Sequence, residues 1–235
     1  MNPSIIIQKP ENQAQQLFLL FHGVGATPQG LVPLGEQLAT AFPHSMVVSV
    51  QAAHASDLGQ GFQWFSVRGI TQENRLDRVT QAMPAFSNCI AHWQKHAQVD
   101  AACTALIGFS QGAIMALAST QSPPMQAARV VAVAGRFPVA PEAIPFDSTV
   151  HFIHGKQDAI VPYGYTVEAA ERLVAMGCDI TADVIPFAGH EINAEMQALV
   201  LQRLQNHLPK RYWNAAQEAQ AAADALQSKP TATKG

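Results

Sequence analysis

Ser110 stands between two glycines in Gly108-Phe-Ser-Gln-Gly112, at the point where one apolar run ends and another begins. The stretch Ala102–Gly108 reads as a buried strand and Gln111–Thr120 as a helix, so the serine falls on a sharp strand-to-helix turn. Such a turn brings backbones close together, and side chains at positions 108 and 112 would collide with their neighbours. It lifts the hydroxyl clear of the sheet. It also aims the N–H of Gln111 outward at a helix start, where partial positive charge can meet an oxyanion. The chemistry implied is attack of a hydroxyl on a carbonyl. At neutral pH that hydroxyl needs a base within hydrogen-bond reach and a carboxylate to orient the base.

In a strand-turn-helix nucleophile of this kind the acid and then the histidine follow the serine along the chain. Of the nine histidines, only His190 and His207 come after the candidate acids. His207 lies in the final turn of an expected helix and suits a solvated side chain or a helix-end cation. His190 follows an expected strand through Ala188 and Gly189, at the carboxyl edge of the sheet where Ser110 also sits. The acids between them are Glu142, Asp147, Asp158, Glu168, Glu171, Asp179 and Asp183. Asp147, Asp179 and Asp183 precede or lie within strands, toward the opposite edge, and Glu168 and Glu171 fall on a helix. Asp158 follows the strand Val150–Gly155 by a short loop, at the edge where open α/β sheets bind ligands. A second oxyanion donor is expected from the loop after an early strand, Leu17–Thr27, where Gly23 and Gly25 allow close approach and the Val24 N–H is best placed. An ordinary glycine turn is the competing reading of that loop.

The elements that must position these groups alternate. Continuous apolar runs at Leu17–Phe21, Met46–Val50, Cys103–Gly108, Val130–Ala134, Val150–His154 and Ile180–Ile185 predict parallel strands covered on both faces. Between them, Leu31, Leu34, Leu38 and Phe42 mark one helix face, and Leu76, Val79, Met83, Phe86, Ile90 and Trp93 a longer one. Pro84 inside that second helix removes the hydrogen bond to Thr80 and predicts a kink or break. Val167, Ala170 and Val174 give a helix that Gly177 ends, and Ile192, Met196, Leu199 and Leu208 one that Pro209 stops. Residues 1–209 read as one α/β domain. The Ala- and Gln-rich stretch from 210 suits an appended helix, a partner contact or a solvated tail, and residues 228–235 read as disordered.

Composition narrows the classes. With 48% hydrophobic and 13% charged residues the chain builds an extensive core rather than a disordered ensemble. The formal charge of −3 and scattered Lys and Arg leave no basic stripe for nucleic acid. The amino-terminal apolar run is too short for a signal peptide or a membrane span, which predicts a soluble, cytoplasmic protein. Cys89, Cys103 and Cys178 form neither a disulfide framework nor a metal-ligand pair. His151, His154 and Asp158 invite a metal reading, but residues three apart on a strand point to opposite faces, so neither a metal nor any other cofactor is called for. A noncatalytic binding protein of the same fold would be expected to lack one of the three catalytic groups, and none is missing. A homodimer is compatible with the sequence, though no apolar stripe demands it.

The pieces Phe21-His-Gly-Val-Gly-Ala26, Gly108–Ala113, His154–Pro162 and Ala188–Ile192 together resemble the α/β-hydrolase family of small carboxylesterases, lysophospholipases and acyl-protein thioesterases. The resemblance spans residues 17 to about 209. It implies an α/β-hydrolase fold, a mostly parallel sheet with helices on both faces, and a Ser-His-Asp triad of Ser110, Asp158 and His190 with backbone donors at Val24 and Gln111. It further implies that Trp64 and Phe65, in Gly61–Gly69, wall an acyl site, although two aromatics in a loop suit core packing equally. Short- to medium-chain acyl esters are the expected substrates because no sizeable lid insertion is evident. Long-chain thioesters or lysophospholipids are the alternative. The chain departs from the family in carrying Ala26 and Thr27 after the first glycine loop, and Ser66 where many members have Asp.

Overall fold

The computed structural model describes residues 4–121, 123–142 and 148–227. In chain order the elements are β1 (Ile5–Gln8), β2 (Gln16–Phe21), α1 (Val32–Ala41), β3 (Ser45–Val50), a short ribbon of β4 (His54–Ala55) and β5 (Phe62–Gln63), α2 (Arg75–Ala97), β6 (Thr104–Phe109), α3 (Gln111–Ala118), β7 (Arg129–Val133), β8 (Thr149–Gly155), α4 (Gly164–Ala175), β9 (Ile180–Ile185), α5 (Ala194–Asn206) and α6 (Lys210–Gln227). The main sheet has the order β1-β3-β2-β6-β7-β8-β9. All its neighbours are parallel except β1, which pairs antiparallel with β3. Each expected strand is present with its ends moved by at most one residue. β1 is new: Ile5 to Ile7 are β-branched residues that reach a partner some forty positions away, Ile5 opposite Ser49.

The continuous apolar runs have the two-sided burial they predict. Leu17, Leu19, Phe21, Val48, Leu106, Val130 and Phe152 face one layer, with Val79, Phe86 and Ile90 of α2, the buried side chains of α3 and Leu173 of α4. Phe18, Leu20, Ile107, Val131 and Ile153 face the other, with Leu34 and Leu38 of α1 and Met196 and Val200 of α5. Burying such side chains contributes about 2 kcal/mol each. The result is a rigid platform whose strand ends can hold loops in register.

Pro84 does not break α2, which runs without interruption from Arg75 to Ala97. Pro84 and Thr80 both lie on the solvent side, so the carbonyl that loses its partner reaches water, while Val79, Phe86 and Ile90 hold the helix to the core on either side. α6 continues the chain after Pro209. Its root is tied to the amino edge of the sheet by Lys210 N–H on Asp179 and the Lys210 ammonium on the Gly177 carbonyl. From Tyr212 to Ala222 it is exposed. Residues 228–235, read from sequence as disordered, lie outside the described residues. Among the described residues no helix is long and apolar enough to cross a membrane.

Candidate active site

The turn at Ser110 has the conformation its glycines predict. Ser110 adopts φ 51° and ψ −115°, a region that side chains rarely occupy and that marks stored strain. It is held from both sides: its N–H donates to the Val133 carbonyl of β7 at 3.0 Å, and its carbonyl accepts from the Ile114 N–H at 3.0 Å. A Cβ at Gly112 would overlap the Phe21 backbone, and one at Gly108 would overlap the backbone of Gly112 and Ala113. The glycines are therefore a matter of space.

The chain order Ser, Asp, His closes into one hydrogen-bonded line. Ser110 Oγ lies 2.9 Å from His190 Nε2, and His190 Nδ1 lies 2.7 Å from Asp158 Oδ2. Nδ1 faces a carboxylate and carries the proton, which leaves Nε2 free to accept from the serine hydroxyl. The loops after β8 and β9 are laced together, Lys156 N–H on Ile185 O at 2.8 Å and Gln157 N–H on Ala188 O at 2.9 Å. Phe109 packs against the His190 ring at 5.1 Å between centroids and limits its tilt. Sequence reasoning gave this neighbour of the serine no role.

Asp158 is buried and well supplied with donors. Its Oδ1 accepts from the N–H groups of Ile160 and Val161, both at 2.8 Å. Burial alone would raise its pKa, but the hydrogen bonds from His190, Val161 and Ile160 outweigh that and hold the carboxyl below the ordinary range. His154 stands behind it, Nε2 3.2 Å from Asp158 Oδ2. That nitrogen donates to the Val161 carbonyl at 2.8 Å, and Nδ1 accepts from Thr166 at 2.8 Å, so the imidazole is neutral and fixed. His151, on the opposite face of β8, meets Thr181 and packs against His207. The two histidines cannot share an ion with Asp158, and among the described residues no group of His, Cys, Asp and Glu could hold a metal. Two of the excluded acids have other partners, Asp179 with His207 and Asp183 with Arg203, and Asp147 lies outside the described residues.

Val24, Gln111, Phe65 and Ser110 line one cavity of about 340 Å³. Among the described residues nothing accepts from the Val24 N–H, and no side chain caps the start of α3. Both donors are uncommitted. The Val24 N–H belongs to the same rigid peptide unit as the Gly23 carbonyl, which accepts from His22 Nδ1 at 2.7 Å. His22 Nε2 in turn accepts from the Ala52 N–H at 3.1 Å, which fixes its tautomer. Buried His22 thus sets the direction in which Val24 points. The Gln111 side chain was also missed: it accepts from the Trp64 N–H at 2.8 Å and donates to the Phe65 carbonyl at 2.7 Å, tying the aromatic loop to the turn. Trp64 itself packs edge-on against Phe21 and Phe86 in the core and does not line the Ser110 cavity. Ser66 donates to Asp57 at 2.6 Å, so a carboxylate does serve this loop, from another part of the chain. That bond, with the Arg68 and Val67 N–H groups, brings Asp57 down to about 2.

His22, His151 and His154 are buried as neutral rings, and burial pushes each below the ordinary 6.5, His151 to about 3. Unfolded, all three titrate near 6.5. Their effect is absent above that pH; below it the unfolded chain binds protons that the folded chain refuses. Stability then falls by about 1.4 kcal/mol per pH unit for each histidine that stays neutral. Melting followed by circular dichroism is expected to show a steady Tm above pH 7 and a loss of several degrees per unit from pH 6.5 toward 4.5. A flat profile across that window would contradict the neutral assignment.

Comparison with known proteins places this chain in a family. The profile of the phospholipase/carboxylesterase family matches residues 2–210. The esterase YpfH of Escherichia coli strain K12 is 43% identical over 211 residues, covering 90% of this chain and 91% of its own. Among solved structures, esterase PE8 superposes with a TM-score of 0.77 at 27% identity, over 88% of this chain and 98% of that one. The Bacillus cereus carboxylesterase superposes with a TM-score of 0.71 at 19% identity, over 85% and 91%, and shares the fold. The chain therefore belongs to the phospholipase/carboxylesterase family, with the α/β-hydrolase fold, and is a carboxylic ester hydrolase.

Proposed function

We propose that the protein is a serine carboxylesterase that cleaves short- to medium-chain acyl esters through an acyl-enzyme on Ser110, His190 and Asp158. His190 takes the Ser110 proton as the hydroxyl attacks the ester carbonyl, and the N–H groups of Val24 and Gln111 bind the tetrahedral oxygen. His190 then protonates the leaving alcohol, and in the second half it activates water against the acyl-enzyme. Asp158 keeps the imidazole in the productive tautomer and stabilises its cation. No cofactor enters the scheme, and we assign the activity to the cytoplasm.

The observation that carries this reading is the line of contacts Ser110 to His190 to Asp158, at 2.9 and 2.7 Å, opening on a cavity with two uncommitted backbone donors. The size of that cavity favours a modest acyl group. A neighbouring cavity of about 470 Å³, which shares Gln72 and Tyr165 with it, is where a longer chain would have to run. Nitrophenyl esters from two to sixteen carbons, assayed beside a thioester, test the preference. Turnover is expected to peak among the shorter chains and to fall beyond about eight carbons. A flat or rising response would favour the long-chain thioesterase or lysophospholipase reading. Failure of a fluorophosphonate probe to label Ser110 would favour a noncatalytic binder.

A further inference from the structure

The cavity at Ser110 also holds two arginines that no described carboxylate neutralises. Arg75, the first residue of α2, and Arg136, just beyond β7, line it together with Ile160 and Tyr165. Arg136 is only 5% exposed. Its guanidinium lies 4.0 Å from the centre of the Tyr165 ring and donates to the amide oxygen of Gln72, a neutral acceptor. Arg75 is half-buried, and its buried Nε has no acceptor among the described residues. The ion pairs among the described residues involve His154, His190, Arg203 and His207, and none includes Arg75 or Arg136. Glu168 and Glu171 line the adjoining cavity without reaching either guanidinium. Burial, and then the positive charge of Arg136, lowers the pKa of Arg75.

A charged side chain as buried as that of Arg136 is normally paired, because removing a charge from solvent is costly unless another charge and its hydrogen bonds offset the loss. Two guanidiniums side by side add repulsion to that cost. Each offers a planar fork of donors suited to a carboxylate or a phosphate, and here the forks border the space that the substrate enters.

Resting on the assignment of Ser110 as nucleophile, we propose that the preferred ester carries a second, anionic group, a carboxylate or phosphate, held by Arg75 and Arg136 while the ester carbonyl lies at Ser110. The substrate class is then the half-esters of short dicarboxylic acids, or esters whose alcohol bears a phosphate. Neutral nitrophenyl esters fill the cavity without engaging the arginines.

The test is a ratio. kcat/KM for mono-4-nitrophenyl adipate is compared with that for its methyl-capped ester, which has the same acyl length without the charge. 4-Acetoxyphenyl phosphate against 4-acetoxyphenol forms the phosphate arm. One arm is expected to favour the charged ester about tenfold or more, the scale of a single charge-assisted hydrogen bond. The arm that does so identifies the anion. In Arg75→Gln and in Arg136→Gln that ratio should fall about tenfold, with partial return in Arg75→Lys. Arg75 is half-buried at a helix start, so its variants serve if Arg136→Gln does not fold. Preference for the neutral ester on both arms, or a ratio that the arginine variants leave unchanged, overturns the proposal while leaving the esterase intact. Loss of the Ser110 assignment reads differently: all esters would then turn over equally in wild type and Ser110→Ala.

Discussion

Ser110→Ala is expected to lower kcat on nitrophenyl esters by about 10^6-fold, with little change in Tm. The loss is large because the attacking atom disappears, and neither His190 nor the two backbone donors can replace it. Residual turnover of about 10^3-fold over water should survive, since Val24 and Gln111 can still polarise a bound carbonyl while water attacks. Stability is spared for a local reason. The strained φ of 51° is imposed by the strand before and the helix after, and alanine carries the same Cβ into it as serine. Among the described residues, the side-chain hydrogen bond removed is the 2.9 Å bond to His190. Stopped-flow turnover of nitrophenyl acetate, with a melting curve on the same preparation, measures both halves. A variant that kept a tenth of wild-type activity would remove Ser110 from the mechanism.

Asp158→Asn should cost about 10^4-fold in kcat through one misplaced proton. The amide oxygen is drawn to the Oδ1 position, because only an acceptor satisfies the Ile160 and Val161 N–H groups there. The amide NH2 then occupies the Oδ2 position and faces His190 Nδ1. To accept from it His190 must move its proton to Nε2, where it points at the Ser110 hydroxyl and can no longer take a proton from it. His154 meets the same intruder, since its Nε2–H lies 3.2 Å from Oδ2. The two backbone bonds survive, so folding should be close to wild type. An NMR spectrum of the imidazole nitrogens would show the proton on Nε2 in the variant and on Nδ1 in the wild type. If Asp158→Asn lost less than tenfold, the carboxylate would not be orienting the base.

The sheet was legible, and the three groups of the proposed triad could be named, because both depend on patterns that the chain states locally. Runs such as Leu17–Phe21 and Val150–His154 announce two-sided burial without help from distant residues. Ser110 follows one of those runs directly, and Asp158 and His190 follow others by short loops, so strand order alone gathers them at one edge. Other features depend on contacts that no period encodes. Arg75 sits at a helix start and Arg136 in an irregular segment, and nothing in their spacing brings them to one cavity. His22 acts through a carbonyl of the next residue, which is invisible until the loop is folded. Trp64 and Phe65 are both buried in one core cluster, and only Phe65 also borders the Ser110 cavity, a difference set by the bend they occupy and not by any period of the sequence. Pro84 shows the reverse failure, a strong local signal overruled by an apolar face that continues on both sides of it.

The main sheet begins and ends on dissimilar edges, and the hydrogen-bonded line of Ser110, His190 and Asp158 reaches from its middle to one of them. Ser110 leaves β6, which has neighbours on both sides, whereas His190 follows β9, the last strand, whose residues are mostly half-buried. Central strands open only with the whole molecule, while an edge strand can fray alone at much lower free energy. The proposed nucleophile and its proposed base therefore belong to parts of the protein with different lifetimes in the closed state. Warming or mild denaturant should separate the base from the serine while most of the sheet is still protected from hydrogen exchange, so that catalytic competence reports the stability of one edge rather than that of the protein.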